Sequence, residues 1–337
     1  MYSLKSTAML ALLASLSFGA VIDTEGLPDT GLERPRGKSG YGEYGCINAL
    51  NDSHPNVCVS KAYYRTGALD ETTYHANLDV WKNIKLKTRA FRNVANISTE
   101  TTMLGHKVSQ PFFITSAGWA GLSDPTNGEL NFVRAAAKAG ILYTSSIASN
   151  KTTAEIGAAA VNNQTLFRQL YPWSNTTRLQ NDLKEIESAG FKAIFLTVDN
   201  PTEDGIRTRA RREDAPDSSN THMQNFDLTT LSALQNQTSV TIIPKGIILD
   251  DGKMEIYADG GVRHGSDVIK LLALGARAVG LGRSPMFANI WGEAGVDKLI
   301  SILSTELSTE MKLIGVTSLS QINSTVVNAK ILEDWLE

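Results

Sequence analysis

Only two cysteines, Cys46 and Cys58, occur in 337 residues. That excludes the dense disulfide framework on which small secreted domains rely. One bridge between the two, or two free thiols, both stay open, because spacing along the chain does not give separation in space. Charge of one sign is equally scarce. Lys and Arg number 32 against 35 Asp and Glu, a net charge of -3, and the pI is about 6.0. There is no basic footprint, so nucleic acid is not an expected partner. No low-complexity tract interrupts the chain. No apolar run reaches the roughly 20 residues that a stable membrane span needs. Histidines number five, at positions 54, 75, 106, 222 and 264.

The rest reads as a folded, globular chain, 42% apolar and 20% charged. Its first 20 residues have a leader layout: Lys5 as a positive start, the apolar run Ala8–Ala14, then small residues Ser17, Gly19 and Ala20. Such a layout predicts a signal peptide cut near residue 20 and secretion to the extracellular space. Seven N-x-S/T sequons, at Asn51, Asn96, Asn150, Asn163, Asn175, Asn236 and Asn323, suit a glycoprotein on the same route. Residues 21–60 are rich in Gly, Pro, Asp and Asn and read as an irregular lead-in, with helix expected from about Ser60.

From residue 111 strands and helices alternate. PFFITSA, ILYTSSIA, QTLFRQLY, FKAIFLTVD, VTIIPKG, MEIYADGG and ARAVGLGR read as strands. The helices between them include Glu129–Lys138 before Gly140, Thr177–Ala189 before Gly190, a segment capped by Ser266 and ended by Gly275, and one opened by Ser284-Pro285. Residues 294–335 read as closing helices. This rhythm predicts an α/β fold of the (β/α)8 TIM-barrel type, with a doubly wound open sheet as the structural alternative.

Two loops carry the strongest chemical signal. ADGGVRHG (258–265) and GLGRSP (280–285) each place glycines after a buried strand and before a helix. Glycines admit close approach of a ligand to the backbone. Helix N-termini present N–H groups to an anion, and Arg263 and Arg283 add planar donors. Loops after the last strands of a barrel often form a phosphate site.

DGGVRHGSDVIKLLALGARAVGLGR resembles the phosphate-binding end of the FMN-dependent 2-hydroxy-acid oxidase and dehydrogenase family. YYRTGALDE, STETTMLGHKVSQPFFITSAG, FRQLYPW, FKAIFLTVDNP, IIPKGI and WGEAGVDKLI resemble further family segments in the family's order, over most of residues 60–335. The resemblance implies FMN as cofactor, and oxidation of a small (S)-2-hydroxy acid to a 2-oxo acid. It implies one barrel domain over residues 61–337 and leaves a homo-oligomer open. Thr115, Ser116 and Ala117 would meet the flavin ring through their backbone. Ser145, Gln169 and Thr197 would hydrogen-bond it. Lys245 would stabilise negative charge on it. Asp259, Gly260, Gly261, Arg263, Gly282 and Arg283 would hold ribityl and phosphate groups. Tyr63, Tyr171 and Arg207 would bind substrate. Residues 21–60 offer no histidine pair for a haem domain.

One family segment is missing. The family's histidine base, in an S-N-H-G-G-R-Q motif, belongs between the lysine strand and the phosphate strand. Here Lys245 and Asp259 are 14 positions apart, whereas one barrel unit averages about 30 residues. One strand and two helices are therefore expected to be absent, and no catalytic base is identified. None of the five histidines lies in the motif, and each is expected on the surface or in a loop. Without the family, the run around Asp250-Asp251-Gly252-Lys253 reads as a hairpin. Three explanations stay open: a mis-spliced gene, an inactive paralogue that binds flavin or phosphate without catalysis, or an enzyme with a replacement base.

Overall fold

The computed structural model describes Tyr64, Gly67 and residues 70–161, 164–199, 222–223, 225–247 and 254–333. The leader-like segment, Cys46, Cys58, Tyr63, Arg207 and the turn at Asp250–Lys253 lie outside the described residues. Seven strands form one parallel sheet: β4 (Phe112–Ile114), β5 (Tyr143–Ser145), β6 (Leu166–Leu170), β7 (Ala193–Thr197), β8 (Thr241–Lys245), β9 (Tyr257–Asp259) and β10 (Ala278–Leu281). Ahead of them come helix α1 (Thr72–Asn83), strand β1 (Lys85–Leu86) and a small hairpin of β2 (Thr101–Met103) and β3 (His106–Val108). Between and after the strands lie α2 (Glu129–Ala139), α3 (Thr153–Ala158), α4 (Thr176–Ser188), α5 (Leu228–Gln235), α6 (Gly265–Ala273), α7 (Arg283–Ala288) and α8 (Gly292–Leu313). Strand β11 (Val327–Asn328) pairs antiparallel with β1, and a short α9 (Lys330–Glu333) follows.

The strand order is β8-β7-β6-β5-β4-β10-β9. The last strand, β10, therefore pairs in parallel with the first, β4. That closure of last onto first is how a barrel is sealed, and it rules out the doubly wound alternative, in which strand order reverses at a switch point. The sheet is open elsewhere. β8 and β9 stand at its two ends, where the connection is too short for a helical crossover. Among the described residues β8 pairs with β7 and β9 with β10, both in parallel.

Alternation along the strands sorts side chains onto two faces. One face packs on the helices in a large apolar cluster that includes Tyr143, Leu170, Ile194, Leu196, Phe132 and Ile186. The other lines the interior: Phe113, Leu142, Phe167, Ala193, Phe195 and Ala278 are buried there with Met103 and Val108 of the hairpin, which plugs the floor. His106 therefore belongs to a strand of this plug rather than to a turn. The Phe195 ring of β7 lies 6.1 Å from both Phe113 and Tyr257. Contact between β7 and β9 across the interior shows that the sheet curls toward closure even without the eighth strand.

Two caps differ from the sequence reading. Ser266 and Ser284 both lie inside the first turn of their helices, whose N-caps are His264 and Gly282. Asp267 supplies the missing capping function. Its carboxylate accepts the backbone N–H groups of Arg263 and His264, each at 3.2 Å.

Candidate cofactor and substrate site

Two residues beyond the apolar floor, the same inward face turns polar. Thr115, Thr144, Gln169, Thr197, Lys245 and Asp259 occupy it at the C-terminal ends of six strands. Their contacts form a tier. Gln169 Nε2 donates to Thr197 Oγ1 at 3.0 Å, and Ser146 Oγ donates to Gln169 Oε1 at 3.2 Å. Thr115 Oγ1 donates to Asp259 Oδ2 at 3.4 Å. Buried Thr144 keeps an Oγ1 with no partner among the described residues. Lys245 is half-buried at the tip of the edge strand β8, and its carbonyl accepts the Val198 N–H at 2.9 Å.

Above this tier the two glycine loops leave space. A Cβ added at Gly260 or at Gly282 would meet nothing nearer than 3.9 Å in the protein. Gly260 and Gly261 have φ of +125° and +63°, a region that side chains rarely tolerate. Arg263 and Arg283 are half-buried on these loops. Ser116 and Ala117 continue β4 into the loop above the tier, also half-buried.

Ser145 is the exception among the expected flavin contacts. It is paired with Arg168 across β5 and β6, on the parity of the helix-facing cluster. Arg168 Nη1 donates to Ser145 Oγ at 3.0 Å. The serine hydroxyl on the inner tier is that of Ser146. A one-residue shift inverts the face in a strand, which is why two adjacent serines could not be told apart from sequence.

On the substrate side, Tyr171 follows β6 directly and is half-buried at the mouth. Its ring stacks on His222, with centroids 4.3 Å apart and planes at 20°. His222, expected in a loop-like stretch, is only 7% exposed and bridged to Trp173, so it is buried. Of the other described histidines, His75 and His264 have exposed side chains, and His264 Nδ1 lies 3.6 Å from Glu306. No described histidine lies on the inner tier. Among the described residues no cluster of three or more His, Cys, Asp or Glu could hold a metal, and no helix is long and apolar enough to cross a membrane.

A profile of the FMN-dependent dehydrogenase family matches residues 58–233 and 249–329. The chain belongs to that family. The 2-hydroxyacid oxidase 2 of Homo sapiens is 31% identical over 82% of this chain and 96% of its own length. The L-lactate dehydrogenase (cytochrome) of Saccharomyces cerevisiae is 28% identical over 81% of this chain and 58% of its own length. The flavin-binding domain of baker's yeast flavocytochrome b2 superimposes with a TM-score of 0.77 at 26% identity, covering 87% of this chain and 86% of that one. An (S)-mandelate dehydrogenase at 22% identity shares the fold, with a TM-score of 0.76. This member of the family is thus an FMN-dependent barrel with an open eighth position. β8 and Lys245 fall in the unmatched stretch between the two matched segments. Their placement rests on the unbroken parallel register of β8 against β7, from Thr241 opposite Ala193 to Lys245 opposite Thr197.

The burial of three residues escaped sequence reasoning. Glu129 is fully buried, and its carboxylate accepts backbone N–H groups from Ala120, Asn150 and Lys151 at 3.0, 2.9 and 3.2 Å. It ties the β4–α2 loop to the β5–α3 loop on the side where the tier opens. An acid in a first helical turn is common as dipole complementation, so its position along the chain does not mark it. Arg168 is 2% exposed, and its Nε has no partner among the described residues. Burial pushes its guanidinium below the ordinary arginine value. A charge in the middle of an apolar strand, LFRQL, was the available signal. Burial likewise raises the Tyr143 hydroxyl well above the ordinary tyrosine value, and the charge of Glu129 adds to it. The third is His222, whose burial depends on a long-range bridge that no local pattern shows.

Proposed function

We propose that this FMN-dependent dehydrogenase family member holds FMN above the inner tier and acts on a small (S)-2-hydroxy acid, oxidising it to the 2-oxo acid. The observation that carries the reading is the convergence of the polar tier with two open glycine loops bearing Arg263 and Arg283. Gln169 and Thr197, already hydrogen-bonded to each other, give a ring system fixed donors and acceptors at low reorganisation cost. Thr144 Oγ1 is a buried hydroxyl awaiting a partner. Lys245 brings a cation to the same rim, and the loop arginines suit a phosphate. When bound, FMN supplies the acceptor for the hydride equivalent leaving the substrate. Tyr171 lines the mouth, and Arg207 and Tyr63 are the remaining candidates for the substrate carboxylate and hydroxyl.

A second reading, a flavin-binding protein without turnover, has one observation in its favour. The gap between β8 and β9 falls where the family carries its histidine motif, and a positioned acid or base contributes about 10²–10⁴-fold. One experiment separates the two. The purified protein is examined for flavin absorbance near ~450 nm, then mixed anaerobically with L-lactate and with glycolate. Bleaching by either acid supports turnover. An unchanged flavin spectrum supports the second reading. A protein that takes up no flavin refutes both.

Secretion is a separate proposal, supported by the leader-like first 20 residues. The sequon asparagines at 96, 150, 175, 236 and 323 are all exposed. N-terminal sequencing and deglycosylation of protein recovered from culture medium test it. An N-terminus at Met1 with no shift on deglycosylation refutes it.

A further inference from the structure

One helix outside the barrel touches both phosphate loops. The Trp81 indole N–H of α1 donates to the Gly261 carbonyl at 3.0 Å. The Trp81 carbonyl accepts Lys270 Nζ from α6 at 2.9 Å. The Asn77 carbonyl packs so closely on Gly261 that an added Cβ would lie 1.9 Å from its oxygen. On the other loop, the Arg283 guanidinium sits 4.5 Å from the centre of the Tyr74 ring. Asn77 and Trp81 are three and seven positions beyond Tyr74, so all three lie on neighbouring turns of one face.

This arrangement gives Tyr74 a specific physical effect. A guanidinium on a flexible stem loses rotamer entropy when it binds an anion. A ring that holds it beforehand removes part of that cost. A cation–π contact also consumes none of the in-plane N–H donors that an arginine offers to phosphate. We propose that Tyr74 is a positioning residue for the cofactor phosphate, acting through Arg283, and that α1 thereby forms the outer wall of the phosphate cradle. The inference rests on the FMN reading above.

The test compares FMN with riboflavin, which has the same ring and ribityl chain and no phosphate. Dissociation constants come from quenching of flavin fluorescence by the wild type, Tyr74→Phe and Tyr74→Leu. Tyr74→Leu is expected to weaken FMN about threefold to tenfold, with riboflavin changed by less than about twofold. Tyr74→Phe keeps the ring and stays within about twofold of wild type for both. In an Arg283→Ala background, Tyr74→Leu has no further effect on FMN. Should the leucine variant aggregate, Tyr74→Gln gives the same reading, because it is equally compatible with an exposed helix. FMN affinity unchanged in Tyr74→Leu overturns the proposal, and so does equal weakening of FMN and riboflavin, which would mark a general loosening of α1. A wild type that binds FMN no more tightly than riboflavin sinks the phosphate assignment itself, a different failure from an inert Tyr74.

Discussion

Replacing Glu129 probes how the loops above the polar tier are held. Its carboxylate is the shared acceptor for three backbone N–H groups from two loops, at 2.9–3.2 Å. Hydrogen bonds to a charged group contribute about 1.5–3 kcal/mol each. Only the bond from Ala120 is fully buried, while those from Asn150 and Lys151 are partly buried and count for about half. Glu129→Ala should therefore cost about 3–6 kcal/mol, a large part of the 5–15 kcal/mol typical of a folded protein. At roughly 2–4 °C per kcal/mol for a domain of this size, the melting temperature falls by about 6–24 °C. Glu129→Gln is nearly isosteric. It keeps one oxygen for Ala120 and Asn150 but turns an amide N–H toward the N–H of Lys151, so it should cost only about 1–2 kcal/mol. Thermal unfolding followed by circular dichroism, with and without added FMN, measures both. An alanine variant that melts within about 3 °C of wild type would refute the clamp, as would a glutamine variant less stable than the alanine one.

Other substitutions probe separate parts of the site. Gly261→Ala adds a Cβ 1.9 Å from the Asn77 carbonyl at a φ of +63°; it should cost about 3 kcal/mol or more and weaken FMN, read by melting and by flavin titration. Burial acts to raise the Asp124 carboxyl, but hydrogen bonds from Asn127, Asn131 and Thr126 outweigh it and hold the group below its ordinary value. A lowered folded-state pKa gives stability that is full above the unfolded carboxyl value near 3.9 and is lost as pH falls below about 4. Asp124→Asn should accordingly lower stability at pH 7 and flatten its decline below pH 4, measured by urea titrations across that range. Near the open edge, Ile247, Met254 and Ile256 are exposed at 54%, 59% and 42%. Met254→Lys with Ile256→Lys should reduce light scattering on storage without lowering the melting temperature, because charge on an edge opposes strand addition.

Much of this architecture was legible in the chain. The alternation of apolar runs with capped helices placed all seven strands, because a buried parallel strand must be continuously apolar and its crossover must be helical. Gly260, Gly261 and Gly282 announced the two loops, since glycine most readily adopts the positive φ of the first two and leaves the open space seen at Gly260 and Gly282. Ser145 shows the limit. Its neighbour Ser146 has the same chemistry, and which of the two faces inward depends on where β5 enters register with β6. The cap position was equally ambiguous at Ser266, because Asp267 reaches back to supply what a serine could have supplied.

By itself the sequence determined the class of fold, the family, and the loss of a segment between Lys245 and Asp259, for these depend on periodicity, motif and length. Tertiary structure alone decided the consequence of that loss. Last-to-first pairing of β10 with β4 and the aromatic contact of β7 with β9 keep the sheet curled, so the opening stays local to β8 and β9. It also decided that Glu129 clamps two loops, that His222 lies under Tyr171, and that α1 seats on both glycine loops. Each of those contacts joins residues far apart in the chain or depends on the exact turn of a side chain, and neither is encoded in local spacing.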